Sequence, residues 1–202
     1  MCQLKVQALS FLDYGPFDLD IKSGEVFGIS GTSGSGKSLF LKALADLIVS
    51  KGQVSLAGEA READTASDWR KKVMLVPPEP QWWFEKVGAH FPGNSQEIAW
   101  ESFGLAEDVL SWPVSQLSSG EKQRLGLARA MAREPLVLLL DEPTANLDQN
   151  SAEKIENCIL NYLHKKRALA VWVSHDEKQL ERVATSRAVM ENKALVEMEV
   201  AE

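Results

Sequence analysis

Leu4, Val6 and Ala8 alternate with polar neighbours, and Phe17, Leu19 and Ile21 repeat the pattern a few residues on. A period of two belongs to strands with one buried face, so the chain opens with two strands separated by a break at Tyr14-Gly15-Pro16. Lys22-Ser23-Gly24 turns into Val26–Ser30, which is apolar enough to be buried on both sides. Leu39, Phe40, Leu41, Leu44 and Leu47 follow as the apolar face of a helix. Residues 52–57 read as a short strand, 59–72 as a polar stretch of helical character, and Val73–Val76 as a strand that Pro77-Pro78 ends sharply.

The pattern loosens over residues 79–116, where Trp82, Trp83, Phe84, Phe91 and Trp100 are mixed with Gly, Pro and short helical pieces; this stretch is read as a small subdomain. Periodicity returns at Ser118, which forms a capping box with Glu121 three residues on. Leu125, Leu127, Ala128 and Met131 carry a helix that starts at about Ser119 and is stopped by Pro135. Residues 136–140 are uniformly apolar, as in a strand buried on both faces of a parallel sheet, and lead into Asp141-Glu142. Ile155, Cys158, Ile159, Tyr162 and Leu163 mark the next helix, 168–173 a buried strand ending at Ser174-His175-Asp176, and 194–200 a last strand. Alternating strands and helices predict an α/β sheet with ligands gathered at the strand ends.

At the junction of the third strand and the first helix stands Gly31-Thr32-Ser33-Gly34-Ser35-Gly36-Lys37-Ser38, which fits G-x-x-x-x-G-K-[ST] at every position. Glycines let the backbone curl into a nest of N–H donors, and the following helix aims its positive end at the same point. In such a loop Lys37 reaches the β- and γ-phosphates of a nucleotide and Ser38 places a hydroxyl on Mg2+. Kinases, GTPases and ATPases all use phosphate loops, so other strand ends must choose among them. An acid leaving a buried strand, as Asp141 does, can hold Mg2+ through water, and a second carboxylate beside it, Glu142, can deprotonate an attacking water. Paired carboxylates favour hydrolysis over transfer to a substrate.

Leu117-Ser118-Ser119-Gly120-Glu121, about twenty residues before the acidic strand, resembles the signature motif of ATP-binding-cassette (ABC) ATPases. The resemblance covers nearly the whole chain: residues 136–142 are similar to the family's Walker B strand, Ala145-Asn146-Leu147-Asp148 to its D-loop, and His175 to its switch histidine. It implies a P-loop NTPase fold of the ABC type in one domain, 1–202. Residues 1–78 and 136–202 would form the core, with N-terminal antiparallel strands beside a mostly parallel sheet, and about 79–135 a small helical subdomain. It implies ATP and Mg2+ as ligands, Asp141 serving the metal, Glu142 as general base, and His175 on the γ-phosphate, holding water and base in register. Ser118 to Gly120 would face the γ-phosphate of ATP held by an opposite cassette, so that binding closes a homodimer or cassette heterodimer and hydrolysis reopens it.

The chain departs from the family pattern in places. Ser119 replaces a glycine and Glu121 a glutamine in the signature. Where the family has a Q-loop glutamine near Mg2+, this chain has Pro78, and Gln81 is preferred over Glu79 as its substitute. Tyr14 is preferred over Phe11 as the aromatic that stacks on adenine. Trp82 and Trp83 lie where cassettes of this family receive a membrane subunit, and they either form that docking groove or pack the subdomain.

Composition narrows the partners. A net charge of −7 argues against a nucleic-acid-binding surface. No apolar run approaches the roughly 20 residues needed to cross a bilayer, and no signal core opens the sequence. The expected place is therefore the cytoplasmic face of a membrane, with membrane contact only through a protein partner. The two cysteines, Cys2 and Cys158, have no metal-ligand spacing. The leading expectation is the ATPase subunit of a transporter whose transmembrane permease is a separate polypeptide; the alternative is a soluble ABC-type switch not coupled to transport. A small-molecule kinase would leave the signature and His175 unexplained.

Overall fold

A computed structural model describes residues 2–91 and 98–198. Two sheets organise them. In the first, β1 (Gln3–Phe11) pairs antiparallel with β2 (Tyr14–Lys22) and with β4 (Lys51–Leu56), which carries the two-residue β5 (Glu59–Ala60) at its edge. The chain reverses at Leu12-Asp13, before the expected break, and Tyr14 already pairs with Phe11. Leu4 and Val6 face inward, but Ala8 does not: it sits at φ 49° where the register shifts, and Leu9 and Phe11 take over the inner face. One extra residue in a strand reverses the alternation beyond it, and the sequence period cannot show where that happens.

The second sheet runs β10-β9-β3-β8-β7-β6, where β3 is Val26–Ser30, β6 Val73–Val76, β7 Val137–Asp141, β8 Leu169–Val173, β9 Ser186–Glu191 and β10 Ala194–Met198. Only the edge strand β10 is antiparallel. Because side chains alternate along each strand, Leu139, Val171 and Ile29 point to one face and Leu138, Leu140, Ala170 and Trp172 to the other, and both faces are buried. The first face packs with α1 (Lys37–Leu44), α2 (Ala66–Lys72) and the antiparallel sheet. Trp69 of α2 is fully buried there, its indole N–H donating to the Leu44 carbonyl at 2.9 Å. In the expected helical stretch 59–72, Glu59–Ala60 is a strand, Arg61–Ala63 a single 3-10 turn, and the α-helix is confined to α2, which Thr65 caps.

The second face packs with α3 (Ser119–Met131), α4 (Gln149–Lys166) and α5 (Glu177–Val183). Between β6 and α3 the described residues form short 3-10 turns, among them Val87–His90, Trp100–Phe103 and Val109–Ser111, and residues 92–97 of the expected subdomain lie outside the description. Val87, Trp100, Phe103 and Val109 belong to the same apolar cluster as Leu138 and Trp172, so this segment shares a core with the parallel sheet. No helix among the described residues is long and apolar enough to cross a membrane.

Candidate active site

β3, β8 and β7 lie side by side and end at Ser30, Val173 and Asp141. Their carboxyl ends open onto a cleft of about 710 Å³ lined by Gly31, residues 33–38, Asp141, Glu142 and His175, with Pro77, Pro78 and Glu79 entering from the end of β6. Topology accounts for this gathering, since neighbouring parallel strands present all their outgoing loops at one rim.

The phosphate loop has the geometry of an anion cradle. Gly31, Gly34 and Gly36 stand at φ 138°, 78° and 109°, where L side chains are strained. At Gly36 a Cβ would also overlap the Tyr14 ring. Gly36 is the N-cap of α1 and offers no capping side chain, so the first amides of the helix, beginning with Lys37, have no acceptor within it. The first turn carries no acidic residue to compete for that end. Lys37 Nζ donates to the carbonyls of Gly31 and Thr32 at 2.7 and 2.9 Å, which holds the ammonium across the loop. Ser35 Oγ is buried at the cleft without a hydrogen-bond partner among the described residues, as a donor waiting for an anion would be.

Opposite the loop, Asp141 is 6% exposed at the end of β7. Glu142 follows at φ 50°, and three elements hold it: its N–H donates to the Val173 carbonyl (3.0 Å), its carbonyl accepts from Gln123 Nε2 (2.8 Å), and its carboxylate oxygen meets His175 Nδ1 at 2.9 Å. The exposed His175 and a carboxylate one-fifth exposed thus form a pair on the wall facing the phosphate loop. Ser38 and Asp141 offer a hydroxyl and a carboxylate to the same cleft, a donor set that suits a hard cation.

Other expected site residues are not brought into the cleft. Tyr14 leans its ring on Gly36, stacks on Phe11 at 5.3 Å and has Lys193 Nζ 5.7 Å from its centroid. Asp148 caps α4, accepting from the Ser151 N–H at 3.1 Å. Gln81 is exposed and outside the cleft, and its carbonyl accepts from Arg129 Nη1 at 3.1 Å. Glu79, the alternative to Gln81, lines the cleft instead: the chain has already turned toward α3 when it reaches Gln81.

Ser118, Ser119, Gly120 and Glu121 also lie off the cleft, at the N-terminus of α3. Glu121 N–H donates to Ser118 Oγ (3.2 Å), while the Ser118 N–H and hydroxyl donate to the Glu121 carboxylate (2.9 and 2.7 Å). The Ser118 hydroxyl first, and then its amide, hold the Glu121 carboxyl below its ordinary range. A lowered carboxylate stabilises the fold fully above its unfolded value and loses that contribution as pH falls through the lowered one. Ser118→Ala removes the N-cap and is expected to cost about 1 kcal/mol at neutral pH; the gap to wild type should narrow in acid as the carboxylate's share is lost, while the cap on the Glu121 N–H remains, as thermal melts across pH will read.

Sequence reasoning missed two buried glutamines. Gln123 lies on the buried stripe of α3 with Leu127 and Ala130, and a polar residue in register with such a stripe is the signal that was there to read. Gln179 donates to Thr144 Oγ1 (2.6 Å) and to Glu156 (2.8 Å), and Arg182 forks onto Glu156 at 2.9 and 3.1 Å, tying α5 and α4 to the turn behind Asp141-Glu142.

A family model described as "ABC transporter" matches residues 14–145. The chain is 35% identical over 198 residues to the methionine import ATP-binding protein MetN of Staphylococcus saprophyticus, covering 89% of this chain and 58% of that protein. It is 35% identical over 184 residues to the aliphatic sulfonates import ATP-binding protein SsuB of Pseudomonas entomophila, covering 88% and 67%. Among solved structures, a bacterial Atm1-family ABC exporter with ATP bound superposes with a TM-score of 0.84 at 18% identity, over 96% of this chain and 38% of that one, a likeness of fold. The chain spans somewhat more than half the length of the methionine-import relatives it matches.

Proposed function

This chain belongs to the ABC transporter family, and on that premise we propose that it is an ATP-binding and ATP-hydrolysing subunit that pairs with a second cassette, identical or not, around two ATP molecules. It drives a membrane permease that is a separate polypeptide, from the cytoplasmic face. The observation that carries the reading is the Glu142–His175 contact of 2.9 Å on the same cleft as the phosphate loop. The loop amides and Lys37 take the β- and γ-phosphates, Glu142 accepts a proton from the attacking water, and His175 fixes the carboxylate's direction. Ser38 and Asp141 would hold Mg2+, which when bound offsets charge on the phosphates. Ser118 to Gly120, standing off their own cleft, serve the γ-phosphate of the opposite cassette. Relatives named for methionine and sulfonate import support the transporter reading over a soluble switch. We assign residues 1–78 and 136–202 to the nucleotide-binding core and 79–135 to the small subdomain.

The permease docks on an aromatic ridge. Trp82 is half-buried under the Arg129 guanidinium, 4.6 Å from its ring centroid, and packs the subdomain. Trp83 and Phe84 are 63% and 51% exposed, and the buried His90 anchors their backbone, its Nε2 accepting from both N–H groups at 2.9 Å. Large exposed aromatics on a pinned loop are the anchors of an interface. A tagged chain drawn from gently solubilised native membranes should bring a polytopic membrane protein with it. The double variant Trp83→Ser/Phe84→Ser should lose about 100-fold of that partner while binding ATP normally. Recovery of the wild type from the soluble fraction alone would favour the uncoupled switch.

A further inference from the structure

We infer that Gln123 is a positioning residue for hydrolysis, a side-chain clamp through which the N-terminal half of α3 sets the backbone of the general base. The inference rests on the assignment of Glu142 as that base. Gln123 is 2% exposed, and its carboxamide bridges the turn after β7: Nε2 donates to the Glu142 carbonyl at 2.8 Å and Oε1 accepts from the Asn146 N–H at 3.2 Å. A single amide group therefore spans the turn from 142 to 146. Only one orientation of the carboxamide satisfies both ends, because one partner is an acceptor and the other a donor.

The clamp acts on a residue whose backbone is in a sparsely populated region. Glu142 stands at φ 50°, and surrounding contacts must hold a non-glycine residue there. Its N–H belongs to β8 and its carboxylate to His175, so α3 supplies the third point through Gln123. Gln123 is four residues beyond Ser119, about one helical turn or 6 Å along the axis. A rigid helix shifted or steadied by an anion at its N-terminus carries the Glu142 carbonyl with it. A Cβ on Gly120 of the same turn would come within 3.1 Å of the Leu147 side chain and 3.3 Å of the Asn146 carbonyl, so α3 also runs close beside the far end of the loop there.

Two variants test this in the full-length chain. Gln123→Met keeps the length and removes both hydrogen bonds; Gln123→Glu keeps the acceptor for Asn146 and turns an oxygen toward the Glu142 carbonyl. Both should lower kcat for ATP hydrolysis about 30-fold, with KM within about twofold, since displacing a catalytic group by a fraction of an ångström is costly. In a Glu142→Gln background neither should lower the residual rate further, because Gln123 acts only through Glu142. Hydrogen exchange at the Asn146 amide should quicken in Gln123→Met and stay slow in Gln123→Glu. Equal kcat in wild type and variants, or full additivity with Glu142→Gln, would overturn the inference. Should Gln123→Met fail to fold, Gln123→Glu decides alone. A wild-type chain that hydrolyses no ATP overturns the functional reading, and the clamp's role in hydrolysis falls with it; the exchange data then show only whether the two hydrogen bonds form.

Discussion

Glu142→Gln is expected to lower ATP turnover about 1000-fold while leaving ATP binding intact, so that ATP-bound dimers accumulate. Positioned general bases contribute on the order of 10² to 10⁴ in rate, and the substitution removes basicity with little change of shape. The glutamine amide still reaches His175 Nδ1 through its oxygen, and the N–H and carbonyl of residue 142 keep their partners on β8 and α3. The loss is therefore chemical. Phosphate release measured with Mg2+ and saturating ATP reads the rate, and light scattering behind a sizing column reads the dimer. A variant that hydrolyses ATP as the wild type does would place the base elsewhere. His175→Ala, which leaves the carboxylate but frees its direction, should lose less.

The second large effect separates two glycines of one loop. Gly34→Ala and Gly36→Ala both force an L residue to positive φ, at 78° and 109°. Around Gly34 a Cβ would meet nothing within 4 Å, whereas at Gly36 it would overlap the Tyr14 ring. The first substitution should cost only backbone strain of about 1–2 kcal/mol, or roughly tenfold in ATP affinity. The second must also move either Tyr14, which is stacked on Phe11, or the start of α1, whose amides form the cradle; a loss of about 1000-fold is expected. Titration with a fluorescent ATP analogue gives the affinities, and melting curves show that both variants fold. Tyr14→Ala combined with Gly36→Ala should recover about 100-fold and leave roughly the tenfold loss of Gly34→Ala, because the overlap is gone while the strain remains. Equal losses at the two glycines would show that the ring contact does not govern the loop.

The sequence by itself determined the chemistry that is local. Eight consecutive residues specify the phosphate loop, because glycine spacing and a following helix are properties of a short segment, and the cap at Ser118 and Glu121 is set three residues apart. It also determined the buried strands ending at Ser30, Asp141 and Val173, since uniform apolarity over five residues has few other uses. The family match and the fold agree with that reading. Tertiary structure decided what depends on registers and distant partners. A bulge at Ala8 reversed the facing of β1, and a turn toward Arg129 took Gln81 out of the cleft and left Glu79 in it. The short α5 and β9 have few periodic positions, and their packing on β3 is what defines them. Above all, the pairing of Glu142 with His175, 33 residues apart, and of Glu142 with Gln123, 19 apart, follows from strand order. Parallel strands bring distant segments to one rim, and no pattern along the chain encodes which of them will be neighbours.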